Sequence, residues 1–297
     1  EMMPQFDQAE TYRFRAENLS VGGTLFVIGL AKKVLLADSA GLGKMLAEAV
    51  EATVLPLAAG YDAILTPATT DGKNFAPRLA AKLDFTIDPE TAAPITALAP
   101  LLRDAAPARL FEEFLKLFLS GHAQASFLEL ERHGLLPILL PETAKALAGN
   151  ASGAQRRMLL AGLRSTDARV AADEPVSPAF LFALLLWPAF CRTLMGLQAQ
   201  GVHTTEAQRR AADRVTLHQL STIALPRRFS LPMQEIWLLQ SRFQQRQRKR
   251  VVRLLSHPRF RAAFDFLCLR TAASEEHMAD VDFWNEAQQH PHELPAH

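Results

Sequence analysis

The sequence predicts a mainly α-helical protein with a small, incomplete α/β segment at its amino terminus. From about residue 80 onward, apolar residues recur at helical spacing between short loops, and this pattern predicts a helical body. Between residues 33 and 85, short β-rich runs alternate with helix-like runs, which is typical of a βαβα arrangement. The chain has 297 residues and 49% hydrophobic content, so it can bury a substantial core.

The first apolar run extends from Leu19 to Ala31 and ends at two lysines. Its thirteen residues are too few to cross a bilayer as a helix, so we expect a buried helix or an interfacial segment. The α/β segment follows with the β-rich run KVLLAD, a helix-like run over residues 40–58, a strand over Ala63–Thr66 and a helix over Phe75–Leu83. The chain begins without an initiator methionine, and we expect it to be part of a longer protein.

The helical region has recognisable helix starts and an apolar centre. The sequence Asp-Pro-Glu at residues 88–90 predicts one helix start, and Pro107 precedes an amphipathic helix. The run PAFLFALLLWPAFC at Pro178–Cys191 is apolar on every face and too short for a membrane span, so it predicts the central core helix. We therefore expect full burial of Leu184, Leu185 and Trp187.

Composition limits the kinds of site that the chain can hold. Both cysteines, Cys191 and Cys268, lie in apolar runs, which favours buried free thiols over a disulfide framework. The nine histidines form neither an HExxH motif nor a Cys/His cluster, so no metal site is predicted. The net charge is only +1, and the distribution of charge along the chain is therefore more informative than its total.

Positive charge is concentrated in residues 225–270, which we call the basic segment. Glu235 is its only acid before Asp265, and apolar residues at helical spacing place the cations on amphipathic helices. One interpretation is a platform for phosphate backbones, because each cation that neutralises a phosphate releases condensed counterions. The other is a solvated surface that only keeps the protein soluble. The candidate RNA-binding residues are Arg227, Arg228, Arg242, Arg246, Arg248, Lys249, Arg250, Arg253, Arg259 and Arg261.

Three long stretches of the helical region resemble a known family. They are DFTIDPETAAPITALAPLLRDAAPARLFEEFLKLFLSGHAQASFLELERHGLLPILLPET, VSPAFLFALLLWP, and the whole basic segment from LPRRFSLPMQEIW to FDFLCLR. Together, over roughly residues 82–289, they resemble the neck, body and RNA-binding portion of bacterial poly(A) polymerase, a class II nucleotidyltransferase. The resemblance implies that the helical region takes part in 3′-end polyadenylation of RNA.

The resemblance also implies what the chain lacks. The family's catalytic head uses a Gly-Ser pair and paired aspartates to hold ATP and Mg²⁺, but this chain has no Gly-Ser dipeptide. The D-x-D at Asp280 and Asp282 is expected to lie on a solvated helix. The expectation is therefore that this chain has no catalytic residue, metal or cofactor of its own, and that it is inactive in nucleotidyl transfer when alone.

A charged pattern in the neck matches the family motif RLFEExLKL. It comprises Arg109, Glu112, Glu113 and Lys116, with Arg109 and Glu113 four residues apart on one helix face. Two interpretations stay open: a brace for the nucleotide pocket, and a surface ion pair. His122, in LSGHA, is expected to be a polar residue at a helix end and not a general base, because no carboxylate partner is indicated by spacing.

The amino-terminal residues resemble two other families. EMMPQF followed by ENLSVGGTLFVIGLAKKVLLAD resembles membrane-bound O-acyltransferases, and YDAILTPATTDGKNFAPRLAAKLDF with the preceding KVLLAD run resembles the electron transfer flavoprotein alpha subunit. The chain therefore looks like a composite. Its predicted parts are an acyltransferase-like segment (1–37), a flavoprotein-like α/β segment (38–85), a helical neck (86–150) and a helical body with the RNA-binding region (151–297).

The function predicted from these observations is that of an RNA-binding portion of a bacterial poly(A) polymerase without its catalytic head. The alternatives are an electron-transfer or membrane-associated fragment, and a composite with no activity of its own. RNA is the expected partner, together with a head domain or a helicase supplied by another chain. No DNA specificity and no membrane association are expected, and the cytoplasm is the expected location.

Overall fold

The computed structural model describes residues 24–26, 35–37, 50, 54–56, 89–149, 153–274 and 276–289. The chain divides into two compact units, Glu1–Ala93 and Pro94–His297. In the first unit, strands β1 (Thr24–Phe26) and β2 (Leu35–Ala37) pair antiparallel, with Leu25 opposite Leu36. The strand predicted at KVLLAD is confirmed by β2. The predicted strand Ala63–Thr66 and helix Phe75–Leu83 lie outside the described residues.

Of the two alternatives for the first apolar run, a buried helix and an interfacial segment, the helix is wrong at Thr24–Phe26, which form β1. Two glycines, Gly22 and Gly23, precede this strand, and glycine disfavours a helix because it loses the most backbone entropy on folding. Thr24 and Phe26 belong to the β-branched and aromatic types that fit a pleated, half-buried surface. Local residue preference therefore prevails over the length of the apolar run.

The described residues from 89 onward form a helical array, which confirms the predicted mainly α class. The helices are α1 (Pro89–Leu98), α2 (Pro107–Phe118), α3 (Ala123–Arg132), α4 (Leu136–Leu139), α5 (Pro141–Leu147), α6 (Gly153–Ala171), α7 (Pro178–Leu185), α8 (Trp187–Ala199), α9 (Thr204–Leu220), α10 (Arg227–Leu239), α11 (Arg248–Leu255), α12 (Phe260–Ser274) and α13 (Met278–Gln289). Short 3₁₀ segments lie at Ala99–Asp104 and Gln240–Arg242.

Both predicted helix starts are confirmed, because α1 begins at Pro89 and α2 at Pro107. Proline suits the first helical position, where its missing N–H has no partner to lose. Helix α2 buries Phe111, Phe114 and Phe118 on one face. The rings of Phe114 and Phe118 lie 4.5 Å apart, and Phe114 stacks on Phe182 of α7 at 5.4 Å. This aromatic contact fixes the neck against the centre of the body.

The prediction that Pro178–Cys191 forms one continuous helix is wrong. The segment is divided at Leu186 into α7 and α8, and the two axes are bent by 52°. Pro188 lies in the first turn of α8, where its ring would clash with the preceding turn of a continuous helix. The burial prediction is nevertheless confirmed, because Leu184 and Leu185 have no exposed surface and Trp187 is 8% exposed.

Two hydrophobic cores are present in the described residues. The first gathers the buried residues of α2 to α10, with contributions from α12, around the apolar α7. The second lies beneath the basic segment and consists of Leu239, Phe243, Val251, Leu254, Phe260, Ala263, Phe264, Leu267, Trp284 and Ala287. The second core positions the candidate RNA-binding residues, because α11 packs on it.

No single helix among the described residues is long and apolar enough to span a bilayer, although the bent pair α7 and α8 passes that test by length and composition. Both cysteines are free, as predicted, but each is only partly buried. Burial raises the pKa of Cys191 to about 12. Burial, followed by the nearby carboxylate of Asp265, also raises the pKa of Cys268. Neither thiol is therefore activated as a nucleophile at neutral pH.

Candidate nucleic-acid interface

Helix α11 carries the densest cluster of exposed cations. Its sequence is RKRVVRLL, and Val251 and Leu254 are buried in the second core at 0% and 3% exposure. Lys249 and Arg253 are four residues apart, so they share the face opposite this buried pair. Arg248 and Arg250 lie on the two flanks and are also exposed. Burial of two aliphatic side chains therefore turns four cations toward solvent.

An aromatic group holds α11 in place. The ring of Phe243 meets that of Trp284 edge-on at 5.3 Å, and Phe260 stacks on Phe264 at 5.9 Å. The indole N–H of Trp284 donates to the backbone carbonyl of Phe243 at 2.7 Å, and this hydrogen bond ties α13 to the loop before α11. Edge-on and offset aromatic pairs add stability beyond their buried area, so the cations rest on a defined base.

All ten candidate RNA-binding residues are exposed, but three of them pair with a carboxylate. Arg246 pairs with Asp280 at 3.0 Å, Arg259 with Glu235 at 3.2 Å and Arg261 with Asp265 at 3.1 Å. The others have no carboxylate within 4.0 Å among the residues that the structure describes: Arg227, Arg228, Arg242, Arg248, Lys249, Arg250 and Arg253. These seven charges are the ones available to a phosphate backbone.

Arg246 is about half exposed, but its guanidinium is held by other residues of the protein. Its Nη2 donates to the carbonyl of Ala279 at 3.1 Å and to Oδ1 of Asp280 at 3.0 Å. Its guanidinium also lies over the ring of Phe283, with Cζ 5.1 Å from the centroid. These contacts connect the loop before α11 to α13, so the local fold uses this side chain.

The prediction that both residues of the D-x-D are solvated is wrong for Asp280. Its side chain is only 14% exposed, because it lies between Arg246 and Nδ1 of His277, which is 3.2 Å away. Asp282 is exposed as expected. Within the described part of the chain, no group of three or more His, Cys, Asp or Glu side chains is arranged to hold a metal ion.

The charged neck residues share the exposed face of α2, but their pairing differs from the predicted one. Glu113 pairs with Lys116 at 3.1 Å, three residues away, and not with Arg109. Glu112 is exposed as well. Both ends of the Glu113–Lys116 pair are more than half exposed, so solvent screens it and its contribution to stability is small.

His122 immediately precedes α3, as expected of a residue at a helix end. The residue that caps this helix was missed. Asp167, on α6, accepts hydrogen bonds from the backbone N–H groups of Ala123 and Gln124. An acidic side chain at a helix N-terminus satisfies free N–H groups and complements the helix dipole. No local signal identifies this contact, because the partners are 44 residues apart.

A second missed residue is Arg270, which connects the first core to Gln240 and His277. Its guanidinium lies 5.1 Å from the ring centroid of Trp187 in the first core and donates to Oε1 of Gln240 at 3.0 Å. Its Nη2 is 3.4 Å from Nε2 of His277. Burial lowers the pKa of Arg270 from its usual value. Its cation is therefore used inside the fold and is not part of the exposed basic surface.

Two family models match the helical region. The model described as "Probable RNA and SrmB- binding site of polymerase A" matches residues 84–147, and "Polymerase A arginine-rich C-terminus" matches residues 200–297. Both descriptions name polymerase A. The residues matched by the second model include the second core, α11 and all ten candidate RNA-binding residues, so the cations of α11 lie within that match.

Similar proteins match a longer part of the chain than the two models do together. Poly(A) polymerase I of Escherichia coli O6:H1 is 39% identical over 216 residues, covering 71% of this chain and 46% of that protein. Poly(A) polymerase I of Haemophilus influenzae is 33% identical over 213 residues, covering 71% of this chain and 47% of that protein. The chain therefore spans just under half of the length of the poly(A) polymerases that it matches.

The amino-terminal residues match a different family. The electron transfer flavoprotein domain model matches residues 28–91. The electron transfer flavoprotein alpha subunit of Pseudomonas aeruginosa is 50% identical over 52 residues, which cover 18% of this chain and 17% of that protein. The predicted composite is confirmed for its flavoprotein-like segment and its poly(A) polymerase-like region.

Proposed function

We propose that this chain binds single-stranded RNA without base specificity through the exposed cations of the basic segment, and serves as the RNA-holding part of a polyadenylating nucleotidyltransferase. The observation that carries the proposal is α11, where Arg248, Lys249, Arg250 and Arg253 face solvent above a buried aromatic cluster. The match to the arginine-rich poly(A) polymerase domain over residues 200–297 supports it.

Electrostatics explains why such a face binds RNA. Each phosphate of a single strand that a cation neutralises contributes about 0.7 to the slope of log affinity against log salt. The four cations of α11 are spread over more than half of the helix circumference, so about three or four can meet one strand. Phosphates are the same in every sequence, and the expected binding is therefore strong at low salt and indifferent to sequence.

In this proposal, nucleotidyl transfer needs a head domain that supplies the ligands for ATP and Mg²⁺. The exposed charged face of α2, with Arg109, Glu112, Glu113 and Lys116, is where the neck would brace the nucleotide pocket of such a head. The family description of residues 84–147 names SrmB beside RNA, which supports a protein partner on the same neck region. The proposed location of this activity is the cytoplasm, where RNA 3′ ends are processed in bacteria.

A salt titration of single-stranded RNA binding tests the proposal. The test variant carries glutamine at Arg248, Lys249, Arg250 and Arg253. We expect its salt slope to be flatter than that of the parent by about 2 to 3 units, with equal losses of affinity for different sequences. Circular dichroism checks that helix content is unchanged, because all four side chains are exposed.

The control removes exposed arginines outside both matched regions, 84–147 and 200–297, with glutamine at Arg164, Arg169 and Arg192. It loses three positive charges, and we expect a slope close to that of the parent. Equal slopes for the parent and the α11 variant, with both proteins folded, would show that α11 is only a solubilising surface. Equal flattening by both variants would show that net charge, and not this face, governs binding.

A further inference from the structure

We propose that Arg246 is a base-stacking residue, and that its guanidinium and the ring of Phe283 form a platform for one nucleobase of single-stranded RNA. The inference rests on the proposed RNA binding and deepens it, because it assigns a contact to a base where α11 contacts phosphates. Arg246 differs from the cations of α11 in its contacts to the protein.

The charge of Arg246 is already matched within the protein. Its Nη2 contacts Oδ1 of Asp280 at 3.0 Å and the carbonyl oxygen of Ala279 at 3.1 Å. Asp280 is itself fixed by Nδ1 of His277 at 3.2 Å and is only 14% exposed. A phosphate would have to compete with this carboxylate for the same nitrogen. Arg246 is therefore a poorer phosphate ligand than Lys249 or Arg253.

The plane of the guanidinium is fixed by the same contacts. One face lies over the Phe283 ring at 5.1 Å, and Phe283 is in turn held edge-on against Trp284 at 5.4 Å. The Arg246 side chain is still 48% exposed, so a substantial part of it faces solvent. A planar, weakly hydrated guanidinium stacks well on flat π systems, and prior ordering removes the entropy cost of arranging it.

The location suits this role. Arg246 is separated from α11 by one residue, so a strand whose phosphates follow Arg248 and Lys249 passes beside it. Stacking of bases on aromatic side chains tolerates every sequence, and arginine adds a cation–π contribution. The platform therefore increases affinity for RNA that carries bases and leaves the indifference to sequence unchanged.

The test compares two ligands of equal length: a single-stranded oligoadenylate and the same ribose-phosphate backbone without bases. Arg246→Lys keeps the positive charge and removes the planar group. We expect it to weaken binding of oligoadenylate by about five- to tenfold and to leave binding of the abasic backbone within about twofold. The matched control Lys249→Gln removes a phosphate contact, so it should weaken both ligands by the same factor.

A second variant, Phe283→Leu, keeps an apolar side chain on α13 and removes the ring beneath the guanidinium. It should reproduce the selective loss for oligoadenylate, and Trp284 fluorescence verifies that α13 remains packed. Two results would overturn the stacking role and leave the proposed RNA binding intact. One is that Arg246→Lys binds oligoadenylate as tightly as the parent, and the other is that it loses the same factor of affinity for oligoadenylate and for the abasic backbone. Failure of the parent to bind either ligand would instead overturn the proposed function.

Discussion

Gly162 illustrates how a single residue sets the distance between two helices. It lies on α6 against Leu184 of α7, and a Cβ at this position would overlap the Leu184 side chain. Leu184 has no exposed surface, so it has no free space into which it can move. Glycine disfavours a helix interior, and its presence here is explained by this close approach and not by backbone conformation.

We therefore expect Gly162→Ala to lower the free energy of unfolding by about 1 to 3 kcal/mol, the usual range for overpacking a core. Gly196 on α8 provides the control, because it is exposed and a Cβ there would meet nothing within 4 Å. Gly196→Ala should stabilise the protein by about 0.5 to 1 kcal/mol through helix propensity. Denaturant titration measures the free energy of unfolding of both variants. Changes of the same sign would contradict the prediction.

Glu131 and Arg156 form a two-point ion pair between α3 and α6, with both N···O distances at 2.6 Å. The hydrogen bond from Arg156 holds the pKa of Glu131 below its usual range. A lowered folded-state pKa contributes stability that is present above the unfolded pKa, about 4.3, and is lost as pH falls through the folded value. The pair therefore makes the packing of α3 on α6 sensitive to acid.

We expect Glu131→Gln to lose no more than about 1 kcal/mol at pH 7, because both side chains are about one-third exposed and solvent screens the pair. The variant should also show a smaller decrease in stability between pH 5 and pH 3 than the parent. Urea unfolding at several pH values measures the difference. A constant difference across that range would show that the ion pair does not couple to folding.

Sequence reasoning at this scale succeeds for local contacts and fails for distant ones. The exposure of the cations of α11 was predictable, because Val251 and Leu254 define the buried face within the helix itself. Asp167 was missed because its partner Ala123 is 44 residues away, and Arg270 was missed because its partner Gln240 is 30 residues away. The pairing of Arg246 with Asp280 was missed for the same reason, since the two residues are 34 positions apart.

At the scale of elements, α7 is the centre around which the described helices pack. The sequence predicts its burial, because it is apolar on every face. The physical cause of the break after Leu185 is Pro188. The break was missed because proline is also tolerated in the first turn of a helix, so its presence did not mark where one helix ends. Residue types thus predict which segment is central, but they do not decide whether a proline lies within one helix or begins the next. Here Pro188 lies in the first turn of α8, and the two helices are bent by 52°.

Leu185→Ala should lower the free energy of unfolding by about 2 to 5 kcal/mol, because it leaves a cavity beneath α7. Leu217 on α9 is the matched control, since the same substitution there changes a side chain that is 68% exposed. Its effect should stay within about 0.5 kcal/mol. Similar unfolding midpoints for the two variants would mean that α7 is not the core.

At the scale of the whole molecule, two parts of the chain are similar to different families. Residues 200–297, which carry the basic surface, match a polymerase A model, whereas residues 28–91 match a flavoprotein model. The composite was predictable from the sequence because each part contains long strings similar to one of these families. The acyltransferase-like start at residues 1–37 stays a prediction.

We expect the purified chain, incubated with ATP, Mg²⁺ and an RNA primer, to add no adenylate. The reason is that the Gly-Ser pair and paired aspartates, which would hold the triphosphate and the metal ions, do not occur together in this sequence. Gel analysis of the primer measures the outcome. A preparation of the chain with Asp280→Asn and Asp282→Asn identifies contaminating activity, and tails that depend on these aspartates would contradict the prediction.

The hydrogen bond from the Trp284 indole to the Phe243 carbonyl also makes local opening of the second core measurable. The indole is fully buried, so its proton exchanges with solvent only when the second core opens. RNA that binds α11 in its native position favours the closed form by mass action. Hydrogen exchange at this one nitrogen should therefore become slower as RNA saturates the basic surface, although no RNA atom touches it.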